Sequence, residues 1–139
     1  MNSLQQFFST EDVFASHAGI ELLEVGSGWA KASMKIKKFH LNGAKTVHGG
    51  ALFTLADFAF AVASNSHGTL AMGISTSMNF VKAALKGTLF AEAKELSINP
   101  KLASYSVTIT DDDGDTIALF QGMVYRKNSP TIPHDYLKK

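Results

Sequence analysis

The chain of 139 residues contains no cysteine. That absence excludes disulfides, thiolate metal sites and a cysteine nucleophile, and it suits a cytoplasmic home. An excess of one charge is missing as well, because 13 basic and 12 acidic side chains leave a net charge of +1. No global field draws such a chain to nucleic acid or to an anionic membrane, so neither is expected as a partner, and any anion must be recognised locally. Long apolar runs are also lacking. The run from Ala51 to Ala63 is too short and too interrupted to span a bilayer, and the opening MNSLQQFFSTEDVF has neither the basic start nor the apolar core of a secretory signal. A soluble protein is expected. Proline is scarce, with two of its three copies after Ser129, which leaves the body of the chain free to form regular elements.

Hydrophobic residues make up 45% and charged residues 18% of the chain, so it is apolar enough to fold, and its length suits one domain. Residues 1–127 are expected to be that domain and residues 128–139 a tail, since the tail shows no periodic pattern. Leu4 to Ala18 predicts a leading helix, with Thr10 as a cap, Gly19 as its stop, and Leu4, Phe7, Phe8, Val13 and Phe14 packed inward. From Ile20 the period changes to that of strands. IELLEV, a Gly26-Ser27-Gly28 turn and WAKASMKIKK predict a hairpin. Four further strands are expected over Leu70–Phe80, Gly87–Ile98, Leu102–Thr110 and Thr116–Tyr125. The DDDGD run at Asp111–Asp115 lacks the spacing of a calcium loop and reads as a turn.

Between these strands lies the stretch that organises the rest, VHGGALFTLADFAFAVASNSHG from Val47 to Gly68. His48-Gly49-Gly50 opens it, and the apolar residues that follow are enough for a helix of about four to five turns. With apolar residues on every face, this helix is expected to be buried all round and to carry Asp57 inside with it. A buried carboxylate is costly unless it is paired or used. The element order predicts an α+β protein in which an antiparallel sheet curls around this helix. One sheet leaves its own edges and part of the helix uncovered, so a second copy is the natural remedy.

The HGG motif, Asp57 seven residues beyond Gly50, Asn42-Gly43 before the motif and a strand bearing Ser75-Thr76 after it resemble the hotdog-fold thioesterases of the phenylacetate-degradation type. The resemblance runs from Gly19 to Arg126. It implies a sheet of five to six strands around the central helix, hydrolysis of an acyl-CoA substrate without metal or cofactor, and a homodimer or homotetramer. It also implies that the Gly49 amide binds the thioester carbonyl oxygen and that Asp57 is the general base or nucleophile. Asn42 and His48 match positions near the thioester, and Ser75 matches a hydroxyl that helps to place water. For the CoA phosphates the basic residues to consider are Lys82, Arg126 and Lys127.

The residues support the same chemistry without the resemblance. Amides at a helix N-terminus have no intrahelical partner and lie at the positive end of the dipole, so Gly49 and Gly50 offer close access and a donor to an oxyanion. Apolar surroundings raise the basicity of Asp57, while hydroxyls such as Thr54 or Ser75 oppose that. Gly49 and Asp57 are eight residues apart, about 12 Å along one helix, so one chain cannot bring both to one carbonyl. Two composite sites per dimer are expected, with Asn42, His48 and Gly49 from one chain and Asp57 and Ser75 from the other. Plainer roles exist for each residue: His48 as a helix-start histidine, Asn42 as a turn residue, Ser75 and Thr54 as small packing residues, and Asp57 as a paired structural acid. His17, His40, His67 and His134 show no metal-ligand spacing. The alternatives in function are a non-catalytic acyl-CoA-binding or regulatory hotdog protein and, further off, a hydratase or dehydratase of that fold.

Overall fold

The computed structural model describes residues 2–136. The chain begins with two short helices, α1 (Ser3–Glu11) and α2 (Val13–His17), where a single helix was expected. The break is at Asp12, whose backbone leaves the helical region and whose Oδ1 accepts the Ala15 amide at 3.1 Å, so it caps α2. A short carboxylate that competes for backbone donors favours such an end over a helix interior. Asn2, and not Thr10, caps α1, through a 2.8 Å bond from the Gln5 amide. Phe8 and Ala15 are buried and Leu4 and Phe7 pack against the core, but Val13 and Phe14 point outward, 70% and 71% exposed.

Six strands follow: β1 (Ile20–Gly26), β2 (Trp29–Lys35), β3 (Thr69–Phe80), β4 (Thr88–Ile98), β5 (Leu102–Thr110) and β6 (Thr116–Pro130). They form one sheet in the order β1-β2-β4-β5-β6-β3, with each neighbouring pair antiparallel. The inner faces alternate as strands half-buried by one layer should, with Ala30, Ala32 and Met34 on β2, Leu89, Ala91 and Ala93 on β4, and Ala103, Tyr105, Val107 and Ile109 on β5 all buried. The small side chains let the sheet come close to the central helix, α3 (Gly49–Ser64). This is the hotdog arrangement that the sequence implies. Between β5 and β6, Asp111 Oδ1 accepts the amides of Asp113 and Asp115 at 3.0 and 2.9 Å, and the acidic run is a hairpin turn.

Two expectations need correction. The helix α3 is not buried all round: Gly50, Phe53 and Asp57, at spacings of three and four, form an exposed stripe along it. One sheet covers only the side of a helix that it curls around, and among the described residues nothing buries the stripe of Gly50, Phe53 and Asp57. The tail does not begin at residue 128 either, because β6 runs to Pro130 and Thr131 beyond it is buried; of the expected tail, residues 137–139 lie outside those described. No helix among the described residues is long and apolar enough to cross a membrane.

Asn65, buried just past α3, ties three elements together. Its Nδ2 donates to the carbonyls of Ala61 and Ala71 at 2.8 and 3.2 Å, and its Oδ1 accepts the Ala71 amide at 3.0 Å and the Thr131 hydroxyl at 2.8 Å. Asn65→Ala strands these buried groups and should cost about 3 kcal/mol of stability. Urea denaturation measures this, and a midpoint equal to that of the parent chain would contradict the assignment.

Candidate active site

The site begins in the loop that leads into α3. His40 is buried there. Its Nδ1 accepts the Lys37 amide at 2.9 Å, so its Nε2 carries the proton and donates to the Ala18 carbonyl at 2.6 Å. The His40 carbonyl in turn accepts the His48 amide at 2.7 Å, and Val47 donates to Ala84 at 2.9 Å. These bonds hold the start of α3 in place. Asn42 closes the loop before it: its Oδ1 accepts the Ala44 and Thr46 amides at 2.9 and 3.2 Å, and its Nδ2 donates to Thr46 Oγ1 at 3.0 Å. The turn role of Asn42 is therefore built, with the second Nδ2 hydrogen left without a partner among the described residues.

His48 is the N-cap of α3, and its Nδ1 accepts the Gly50 amide at 2.8 Å. That bond separates two glycines that the sequence presents alike. The Gly50 amide is occupied, whereas the Gly49 amide has no partner among the described residues. Gly49 faces a cleft of about 360 Å³ whose walls include Asn42, Thr46, Leu52, Phe80 and Lys82. The Phe80 ring lies directly over it, and a Cβ at position 49 would stand 3.2 Å from Phe80 Cζ. A free amide at a helix N-terminus, beside an aromatic wall, is a ready oxyanion donor.

Asp57 lies two turns further on, on the exposed stripe, and none of the described residues gives it a hydrogen bond or an ion pair. Its apolar setting, and secondarily the negative charge of Asp12, push its carboxyl above the ordinary carboxylate range. The hydroxyls expected to oppose this do not reach it. Thr54 donates to the Gly50 carbonyl at 2.7 Å, and Ser75 sits on the sheet's edge strand, in a hollow with Ser77, Ser104 and Gln121. Within one chain Gly49, His48 and Asn42 are thus together, while Asp57 and Ser75 are apart from them.

The three candidate phosphate ligands are also divided. Lys82 borders the Gly49 cleft but is held by Asp115 at 2.6 Å and by Asp111 at 3.7 Å, and these partners raise its pKa. Arg126 and Lys127 line a separate cleft of about 750 Å³ near the other end of β6. The register places Ala118 opposite Phe80 and Arg126 opposite Ala71, so the two groups are about 26 Å apart along the strands. The second cleft also contains Lys101, which the turn between β4 and β5 brings beside Arg126, whose amide donates to the Lys101 carbonyl at 2.7 Å.

Comparison with known proteins accords with this geometry. The profile of the thioesterase superfamily matches residues 44–118. A protein of Archaeoglobus fulgidus, provisionally named an esterase, is 48% identical over 113 residues, which cover 81% of this chain and 73% of that protein. The acyl-coenzyme A thioesterase PaaI of Escherichia coli is 34% identical over 116 residues, 83% of either chain. Among solved structures, E. coli PaaI, from the phenylacetic acid degradation operon, superposes with a TM-score of 0.82 at 30% identity, over 92% of this chain and 99% of that one. PaaI from Thermus thermophilus, in an asparagine-to-aspartate variant, gives 0.80 at 34% identity over 84% and 100%. A profile that spans α3 and the strands around it, and relatives matched over most of their own length, place the chain in the thioesterase superfamily as a PaaI-like, hotdog-type thioester hydrolase.

Proposed function

We propose that the protein hydrolyses an acyl-CoA to free acid and CoA at two composite sites, each formed between two copies of the chain. The carrying observation is the separation on α3 of a free donor at its first residue from an exposed, unpaired acid about 12 Å along its axis. A second α3 laid antiparallel against the stripe of Gly50, Phe53 and Asp57 brings each Asp57 to the other chain's Gly49. That contact also covers Phe53, 37% exposed in the single chain. The edge of β3, which pairs only with β6, carries exposed Met72 and Ile74 and offers the same partner a strand edge. Two such dimers can then join as a tetramer.

In this site the thioester carbonyl oxygen accepts the Gly49 amide, which meets the negative charge as the carbonyl carbon becomes tetrahedral. Asp57 of the other chain acts as general base, taking a proton from the attacking water, or as the nucleophile itself, expelling the CoA thiolate to leave an acyl-aspartyl anhydride that water then hydrolyses to the free acid. Collapse breaks the C–S bond, and the CoA sulfur leaves and is protonated. Asn42 and His48 hold the donor end, and Ser75 lies on the strand that enters the interface with Asp57. The CoA phosphates are taken by Arg126 and Lys127 with Lys101, since Lys82 is already neutralised.

Gly49→Pro removes the donor, with its ring set against Phe80, where a Cβ would stand 3.2 Å from Cζ. Proline suits the first position of a helix, and His48, with φ −58° and ψ 136°, already has the extended backbone that a following proline requires. The variant removes one N–H and should lower kcat by about 100-fold to 1,000-fold. Asp57→Asn should lose turnover while the protein stays folded. Mixed and refolded together, the two inactive variants should regain activity, because each heterodimer contains one intact pairing of Gly49 with Asp57. No recovery, despite heterodimers seen by mass spectrometry, would sink the composite site.

Since Asp57 must be ionised to act, kcat/KM should climb with pH and reach half its plateau above the ~3.9 of a free aspartate. Asp12→Asn keeps the α2 cap, because Asn caps as well as Asp, and removes the neighbouring charge, so the half-point should move down. A half-point at or below the free value would contradict the assignment of Asp57. Light scattering should find two or four chains per particle, and an active monomer would exclude a shared site.

A further inference from the structure

The loop that leads into α3 holds a grouping that thioester hydrolysis does not use. Of the 11 glycines in the chain, Gly43 alone has neither a left-handed backbone nor an atom within 4 Å of where a Cβ would stand. Neither conformation nor packing there calls for glycine. Gly43 is exposed, and its amide has no partner among the described residues. It follows Asn42, the only asparagine in the chain that precedes a glycine. The Asn42 side chain folds forward over that peptide, because its Oδ1 accepts the Ala44 amide at 2.9 Å and the Thr46 amide at 3.2 Å. Two N–H donors on one carbonyl oxygen polarise it and favour attack at Cγ, as an oxyanion hole does. Thr46 Oγ1 lies 3.0 Å from Nδ2 and 3.3 Å from Oδ1, so a hydroxyl stands beside the nitrogen that such an attack expels.

We infer that Asn42 is a self-modifying site, at which the Gly43 nitrogen attacks Asn42 Cγ and the side-chain amide is lost as ammonia. Hydroxide takes the Gly43 N–H proton, the N–Cγ bond forms, and the Cγ–Nδ2 bond breaks as Thr46 Oγ1 or water protonates the departing nitrogen. Water then opens the cyclic imide. Cleavage at Cγ leaves aspartate, and cleavage at the main-chain carbonyl leaves isoaspartate; the net change is amide plus water to acid plus ammonia. A residue without a side chain lets the ring close, which gives Gly43 a role that its backbone and surroundings do not. The effect on turnover rests on the reading of Gly49 as oxyanion donor. Asn42 shares the cleft with Gly49, so either product sets a carboxylate where the thioester carbonyl gains negative charge, and like charges so placed repel. Isoaspartate also lengthens the backbone of the loop before α3. Each chain therefore loses activity with age.

The test incubates the folded protein, and the same chain unfolded in guanidinium chloride, in mildly alkaline buffer. Mass spectrometry follows the peptide that carries Asn42, and thiol release from hexanoyl- and phenylacetyl-CoA follows activity in the folded samples. Asn42 should convert about tenfold or more faster in the folded protein than in the unfolded chain, because the fold supplies the orientation. It should also convert faster than Asn65 and Asn128, which precede serine. Gly43→Ala, for which there is space, should keep its initial activity and convert about tenfold more slowly. Activity of the parent protein should fall in step with conversion, and Asn42→Asp should be weakly active from the outset. Conversion no faster in the folded protein than in the unfolded chain, or equally fast in Gly43→Ala, would overturn the site. Full activity after complete conversion would overturn its effect on turnover, and an inactive Gly49→Pro beside it would leave the reading of Gly49 standing.

Discussion

The approach of the sheet to α3 rests on one aromatic contact. The Phe60 ring is fully buried against the backbones of Gly122 on β6 and Gly73 on β3, where a Cβ would stand 2.7 Å and 3.0 Å from it. Only glycine at these places lets the strands come so near, and the alanines that line β2 and β4 continue the same close surface. With the helix held at that depth, its first residue emerges at the loop locked by His40, and its solvent side emerges as the stripe that carries Asp57.

The far end of α3 is held by polar contacts. Beyond the helix, His67 bonds Glu95 Oε1 at 2.7 Å, and the buried Tyr105 donates its hydroxyl to the same oxygen at 2.7 Å. Burial disfavours charge on Glu95, yet these two bonds, with the charges of His67 and Arg126, keep its carboxyl below the ordinary value; burial and the bond to Glu95 drive the Tyr105 phenol well up. Together with Asn65, this network fixes the helix at its C-terminal end. The N-terminal end is left with a donor that none of the described residues satisfies. The proposed second copy of the chain would cover both that free donor and the unpaired acid on the open side of the helix.

The division of charge follows the same pattern. Lys82, at the Gly49 cleft, is compensated by the acidic turn, while Lys101, Arg126 and Lys127 collect at the opposite end of β6. In the proposed reaction the two ends of one substrate are held far apart, the reactive carbonyl beside a neutral donor and the phosphates beside Lys101, Arg126 and Lys127.

Much of this was legible in the chain alone. Alternation showed the strands, five of the six ending within a few residues of their expected limits, because period acts over a few residues; the hotdog fold and thioester hydrolysis were what the resemblance of the HGG motif and Asp57 implied. The sequence by itself also determined that Gly49 and Asp57 are too far apart to meet, since helix rise depends on nothing else. Only the tertiary structure decided which amide is free, for that required His48 to turn its Nδ1 onto Gly50. Only it showed that α3 is open on one side, that Asp12 ends one helix and starts another over Phe58, and that Lys101 joins Arg126 while Lys82 does not. Each of these depends on which distant residues the sheet brings together, and a pattern of neighbours along the chain does not contain that information.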